Sequence, residues 1–128
     1  MAGDLAIETA VVGGCTVARV SGELDYVTAP VLWERCLEAL AGPDGFVVLD
    51  LSGVSFCDSA GLNVLLRAGR QARVSGAELV LACVPRHLSR TLVMTGTDQF
   101  FRICETVAEA EADTGGRGNA AGSPLERL

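Results

Sequence analysis

The best candidate for chemistry in this chain is one hydroxyl, Ser59, in the string Asp58-Ser59-Ala60-Gly61-Leu62. The string follows a buried-looking run, Phe46 to Leu51, and a tight connection, and it opens an apolar helix. A serine at a helix N-terminus caps it by accepting a backbone N–H bond. Helix N-termini also favour added negative charge, so the same hydroxyl is a reactive or modifiable group. Phosphorylation there adds about -1.5 to -2 charge and three acceptor oxygens. The helix amides tolerate that charge within the domain. Pressed against acidic or apolar atoms of a partner, it repels by several kcal/mol. About 3 kcal/mol weakens binding roughly a hundredfold. Ser59 therefore has the makings of an on/off switch that leaves the fold intact.

Enzyme constellations are missing around it. A nucleophile elbow needs G-x-S-x-G, and Cys57 takes the first glycine position. His87 is the only histidine and belongs to a different helix. Asp50 and Asp58 form a conceivable acid/base pair, but a strand end and a pre-helical position are ordinary places for structural acids. The string 116–121, GRGNAA, fits a loose dinucleotide fingerprint, yet it follows no strand and opens no apolar helix. A chain with no Lys has no Walker A motif. The five cysteines, at 15, 36, 57, 83 and 104, make no C-x-x-C pair and lack zinc spacing. They read as small buried apolar residues in a reducing compartment. No catalytic residue, metal or cofactor is expected, and a binding module is favoured over an enzyme.

The elements that must position Ser59 follow from periodicity and breakers. Leu5 to Val12 and Thr16 to Ser21 read as an antiparallel pair about the turn Gly13-Gly14. Gly22 to Asp25 leave that strand. Thr28 then caps a first helix, with Pro30 in its first turn and Leu32, Cys36, Leu37 and Leu40 on one face. Gly42-Pro43 stops it. Phe46 to Leu51 is a central strand, and Ser59 caps a second helix with Leu62, Leu65, Leu66, Gly69 and Ala72 inward. Arg67, Arg70 and Arg73 mark its solvated face. Glu78 to Cys83 is a strand. Pro85 starts a third helix with Leu88, Leu92 and Val93 inward and Gly96 as its stop. Phe100 to Ile103 is a short strand, and Thr106 to Asp113 a short acidic helix. The order β-β-α-β-α-β-α-β-α describes one α/β layer structure, with helix-connected strands parallel.

Length and composition agree with that. At 128 residues, 49% of them apolar, the chain makes one domain. Residues 113–128 turn to Gly, Asn, Ala, Ser and Pro and are expected to be a flexible tail behind a folded part, 1–112. A net charge of -6 argues against nonspecific nucleic-acid binding, which needs basic surface. No signal peptide precedes the first strand, and no 18-residue apolar stretch offers a membrane span, so a cytoplasmic protein without membrane insertion is expected.

Several of these segments resemble the STAS domain, specifically that of bacterial anti-sigma factor antagonists. Ser21-Gly22-Glu23-Leu24-Asp25 followed by Thr28-Ala29 is similar to its first signature. Val48-Leu49-Asp50-Leu51, Val54-Ser55-Phe56 and Asp58-Ser59-Ala60-Gly61-Leu62 are similar to its second. Gly76-Ala77-Glu78-Leu79 and Met94-Thr95-Gly96 follow in the expected order, so the likeness spans about residues 5–112. It implies a mixed sheet of four or five strands with helices packed mainly on one face. It implies partner switching. The unphosphorylated antagonist binds an anti-sigma factor that is also an ATPase-like serine kinase, and a sigma factor is released. The kinase modifies the serine at Ser59, and a phosphoserine phosphatase reverses this. Asp25, Thr28, Asp58, Ser59, Ala60, Gly61 and Leu62 then form the partner-binding surface. Many relatives carry Ser or Thr after the acceptor; here Ala60 leaves a single hydroxyl in the motif.

Two other functions fit the same residues. One is a STAS scaffold subunit in a sensory assembly or beside a membrane transporter. The other is a nucleotide-binding or hydrolytic domain acting through Ser59.

Overall fold

The computed structural model describes residues 4–43 and 45–112. The expected tail, 113–128, and the 116–121 string lie outside the described residues. The chain forms β1 (Leu5–Val12), β2 (Cys15–Leu24), α1 (Ala29–Leu40), β3 (Phe46–Cys57), α2 (Ser59–Ser75), β4 (Glu78–Ala82), α3 (Arg86–Met94), a 3-10 turn (Thr97–Phe100) and β5 (Arg102–Cys104). Residues 107–112 are helical and are labelled α4. Gly13 and Gly14 both take positive φ, 54° and 89°, as a two-residue hairpin turn requires, and they set Val12 opposite Cys15.

The five strands lie in the order β1-β2-β3-β4-β5, with β1 antiparallel and the rest parallel. Right-handed crossovers between neighbouring parallel strands put their helices on the same face. Accordingly Leu32 and Cys36 of α1, Leu65 of α2 and Leu88 of α3 pack with Leu49 and Leu51 of β3 in one large core. A smaller cluster on the opposite face joins Phe46, Val48 and Val80 to Val107 and Ala110 of α4. β3 is thus covered on both sides, which is why its first half reads as an apolar run broken only by Asp50. α4 starts where the Thr106 hydroxyl accepts from the Glu109 N–H at 3.0 Å. Among the described residues, no helix is long and apolar enough to cross a membrane.

Both site-bearing strands run further than their apolar pattern predicts. β4 stops pairing at Ala82, opposite Asp50, but β2 and β3 continue together to Leu24 opposite Cys57. Two stretches of β3 carry an extra residue against β2, between Arg19 and Ser21 and again between Gly22 and Glu23. Bulges of this kind bend a strand and raise its twist. Ser52, Gly53 and Ser55, loop-like in sequence, are therefore bulged strand. A Cβ on Gly53 would meet the Ser21 Cβ at 2.6 Å, so only glycine fits there. The expected tight connection does not exist: Asp58 alone separates β3 from α2.

Two smaller corrections concern the far end of the fold. Val93 is exposed, because α3 turns only Leu88 and Leu92 to the sheet and Val93 stands about 100° around the helix from Leu92. The last strand begins at Arg102, since the preceding turn sends Phe100 and Phe101 against α2 at Gly69.

Candidate functional site

The carboxyl ends of β2 and β3 and the first turns of α1 and α2 meet at one place. Asp58 donates its backbone N–H to the Leu24 carbonyl at 3.1 Å, which ties the two strand ends together. Beyond Leu24 the chain makes an Asx turn. The Asp25 Oδ1 accepts from the N–H groups of Val27 and Thr28, each at 3.0 Å. The Thr28 hydroxyl accepts from the Asp25 N–H at 3.0 Å and donates to the Glu23 carbonyl at 2.8 Å. Thr28 stands at the cap position of α1, as expected, but its side chain caps nothing in the helix; it closes the loop behind it. Asp25 and Thr28 are both buried. The polar contacts of these two side chains run within the loop and to the Glu23 carbonyl at the end of β2.

Asp58, not Ser59, caps α2. Its backbone is extended, and its Oδ1 accepts from the Gly61 N–H at 3.0 Å. Ser59 is the first helical residue, and its side chain is exposed. In an Asp-Ser pair both residues are strong caps, and a shift of one residue decides between them. The displacement matters chemically, because a hydroxyl relieved of capping stands free at the positive end of a helix. Ala60 and Leu62 are half-buried and Gly61 is buried. The structure therefore gathers Asp25, Thr28, Asp58, Ser59, Ala60, Gly61 and Leu62 at one end of the fold, with the single hydroxyl of the motif, Ser59, exposed.

The competing groups are occupied elsewhere. The His87 Nε2–H donates to the Val54 carbonyl at 3.1 Å and anchors α3 to the overhang of β3. Asp50 is buried, accepts from the Ser52 N–H and faces Arg19 at 3.6 Å. Asp50 pairs with Arg19 and Cys57 with Leu24, five residues further along β2, so about 17 Å of strand separates Asp50 from Cys57 and the Asp50 and Asp58 carboxylates form no pair. Arg67 lies over Trp33 and Arg73 over Phe100, each at 4.2 Å from the ring centroid. Two of the three α2 arginines thus cover aromatic rings. The Cys57 thiol is pushed up to about 11 by burial and then by the Asp58 carboxylate, so it stays protonated and unreactive. Among the described residues, no group of three or more His, Cys, Asp or Glu side chains is placed to hold a metal ion.

The STAS domain family model matches residues 6–110. The chain belongs to the STAS domain family. Among its curated STAS relatives, the anti-sigma-B factor antagonist of Listeria monocytogenes is 38% identical over 85 residues, 66% of this chain and 74% of that protein. The anti-sigma-F factor antagonist RsfB of Mycobacterium tuberculosis is 31% identical over 99 residues, 76% of this chain and 79% of that protein. An anti-sigma factor antagonist from Mycobacterium paratuberculosis superposes with a TM-score of 0.75 at 27% identity, covering 87% of this chain and 94% of that one. SpoIIAA in its unphosphorylated form shares the fold, with a TM-score of 0.64 at 19% identity over 84% of this chain and 96% of that one. The five-stranded mixed sheet with three of its helices on one face is thus the STAS architecture expected from the signatures.

The STAS signatures do not mark every residue at this end. Tyr26 and Val27 occupy the tip of the Asx turn and Val31 the first turn of α1, all of them exposed. Sequence reasoning missed them because Tyr and Val count as strand or core residues. One signal was available: two large apolar residues stand between Asp25 and Thr28, in a turn where small polar residues are usual.

Proposed function

We propose that the protein is an anti-sigma factor antagonist that works by partner switching. Unphosphorylated, it binds an anti-sigma factor serine kinase and so releases a sigma factor. Phosphorylation of Ser59 ends the binding, and a phosphoserine phosphatase restores it. The carrying observation is the placement of Ser59: exposed in the first turn of α2, its hydroxyl not needed as a cap because Asp58 supplies one. The names of the Listeria and Mycobacterium relatives support the antagonist role. The residues around Ser59 offer nothing for hydrolysis, since the one histidine is bonded to the backbone of β3.

A phosphate on Ser59 adds its charge beside the Asp58 carboxylate. Free in solution the group stays hydrated at the helix N-terminus. In a complex it is pressed into the partner surface, where repulsion and lost hydration cost several kcal/mol. The switch then needs no rearrangement of the sheet.

The test uses anti-sigma kinases purified from the source organism. With ATP, the cognate kinase adds one phosphate, which mass spectrometry places on Ser59. Ser59→Ala keeps the affinity and resists modification. Ser59→Asp weakens binding, though less than phosphate does. Wild-type affinity in Ser59→Asp, with no effect of the modification itself, would sink the switch.

A further inference from the structure

β1 is the outermost strand of the sheet, and its outer edge is long and regular. It pairs with β2 from Leu5 to Val12 without a bulge. The Glu23 N–H bonds the Asp4 carbonyl at 2.9 Å, so Asp4 faces β2. In an antiparallel ladder alternate residues turn their backbone groups the same way. Ala6, Glu8, Ala10 and Val12 therefore also bond towards β2, and Leu5, Ile7, Thr9 and Val11 aim their N–H and C=O groups outward. Among the described residues no strand pairs with that edge. Sheet edges are normally blunted by lysine, proline, a bulge or shortness. β5, at the other edge, is short, with three residues. β1 has none of these devices, and its one charge is Glu8.

The side chains along this edge are unfinished in the same way. Leu5 and Ile7 pack on the large core, so the odd-numbered residues of β1 face the helices. Val11, in the same row, is 72% exposed, and Val12, on the opposite face, 40%. Thr9 and Val11 border an open cleft of about 340 Å³, lined on its other side by Arg35, Ala39 and Pro43 in α1 and just beyond it. A strand added to β1 supplies the missing backbone partners, covers both valines and turns alternate side chains towards the cleft. Strand addition of this kind takes its affinity from the main chain and its specificity from the side-chain positions beside it.

We infer that the added strand is β1 of a second copy of this chain, paired antiparallel about a two-fold axis at Thr9. β1 is self-complementary in that register. Thr9 faces Thr9, and Ile7 faces Val11, as pairs that exchange both backbone hydrogen bonds. Between them Glu8 faces Ala10, and Ala6 faces Val12. Each exposed valine gains an apolar neighbour, and Glu8 keeps Arg19 across from it on β2. The adjacent registers are worse. Centring the pair on Glu8 sets two carboxylates face to face, which is destabilising. Centring it on Ile7 leaves Val11 and Val12 beyond the end of the other β1. One strand pair is a small contact, so the dimer is reversible and forms with rising concentration. The two copies run in opposite directions. The carboxyl ends of β2 and β3 therefore point opposite ways, and both Ser59 sites stay open.

Sedimentation equilibrium of the full chain tests this, with circular dichroism to confirm that each variant folds. The wild type forms a dimer that dissociates on dilution. Thr9→Pro removes one outward N–H and leaves the β1–β2 ladder intact, as an edge strand allows. Val11→Lys sets a charge against Ile7 of the second copy. Each weakens the dimer roughly tenfold or more. Val74→Lys, at a similarly exposed position on α2, leaves it unchanged. Should Thr9→Pro fail to fold, Val11→Lys and a cross-link decide. In a hydrogen-bonded pair the two Thr9 Cα atoms lie about 5.5 Å apart, within disulfide reach. Thr9→Cys therefore gives a covalent dimer on mild oxidation, above the background of the native cysteines. Val11→Cys does not, because Val11 faces Ile7. A wild type that stays monomeric at every concentration overturns the pairing. So does a dimer that Val11→Lys leaves intact, a stronger cross-link through Val11→Cys than through Thr9→Cys, or growth past the dimer. None of these outcomes bears on the switch at Ser59, which is read from binding to the anti-sigma factor.

Discussion

Leu24 and Gly61 are in closer contact than any side chain at position 61 would allow. A Cβ on Gly61 would lie 2.6 Å from the Leu24 Cγ and 2.7 Å from the Leu24 carbonyl oxygen. The Asp58 N–H bonds that same carbonyl. The last residue of β2 is therefore the seat on which α2 begins, and the distance between the Asx turn and Ser59 is set by it. Gly61→Ala forces α2 off this seat. Overpacking of this kind destabilises by about 1–3 kcal/mol, read by urea unfolding. Because the neighbouring atoms include backbone, the cost is not relieved by a rotamer change. Unchanged stability would mean that the first turn of α2 moves freely against β2.

The division of labour between Asp58 and Ser59 is separable by mutation. Asp58→Ala removes the acceptor for the Gly61 N–H and costs about 1 kcal/mol of stability. Ser59→Ala removes an exposed hydroxyl with no capping role, and its effect stays within about 0.5 kcal/mol. Unfolding curves of the two variants decide the matter. A larger loss for Ser59→Ala than for Asp58→Ala would return the cap to Ser59 and leave its hydroxyl engaged.

That one-residue ambiguity shows where sequence reasoning stopped. The hairpin was legible because Gly13-Gly14 separates two apolar-rich runs, and the layer order because strand and helix periods alternate. The approach of the two signatures was legible only through the family resemblance. The extension of β3 through Cys57 was not, since Ser52, Gly53 and Ser55 carry turn chemistry locally and only pairing with β2 makes them strand. Tertiary contacts overrode local preference there. The cap was misplaced because Asp and Ser are near-equal caps. The apolar tip was missed because composition reports how many apolar residues exist, not which of them lack a place inside.

The Asx turn makes a distinct prediction about Asp25. Its Oδ1 serves two backbone N–H groups inside the loop. Asp25→Ala strands those donors in a buried setting and costs about 1–3 kcal/mol. Asp25→Asn keeps a carbonyl acceptor at the same place, so most of the stability and most of the partner affinity return. If the carboxylate instead met the partner through its charge, Asn would bind as poorly as Ala while folding normally. Paired unfolding and binding measurements on both variants separate shaping from contact.

Stability at high pH carries the signature of the α1 core. Burial pushes the Cys36 thiol from its ordinary value of 9.0 up to about 12. The folded protein therefore holds this proton where the unfolded chain has released it. A group with a raised folded value contributes its full stability below the unfolded value and loses it as pH climbs toward the folded one. The decline starts near pH 9 and continues to about pH 12. Its slope is roughly 1.4 kcal/mol per pH unit for one thiol. Cys36→Ala takes that titration away at the cost of a small cavity beside Leu32 and Leu40. Its unfolding free energy starts lower at pH 7 but falls less steeply above pH 9. Parallel slopes for the variant and the wild type would show that the thiol ionises in the folded core as easily as in the open chain.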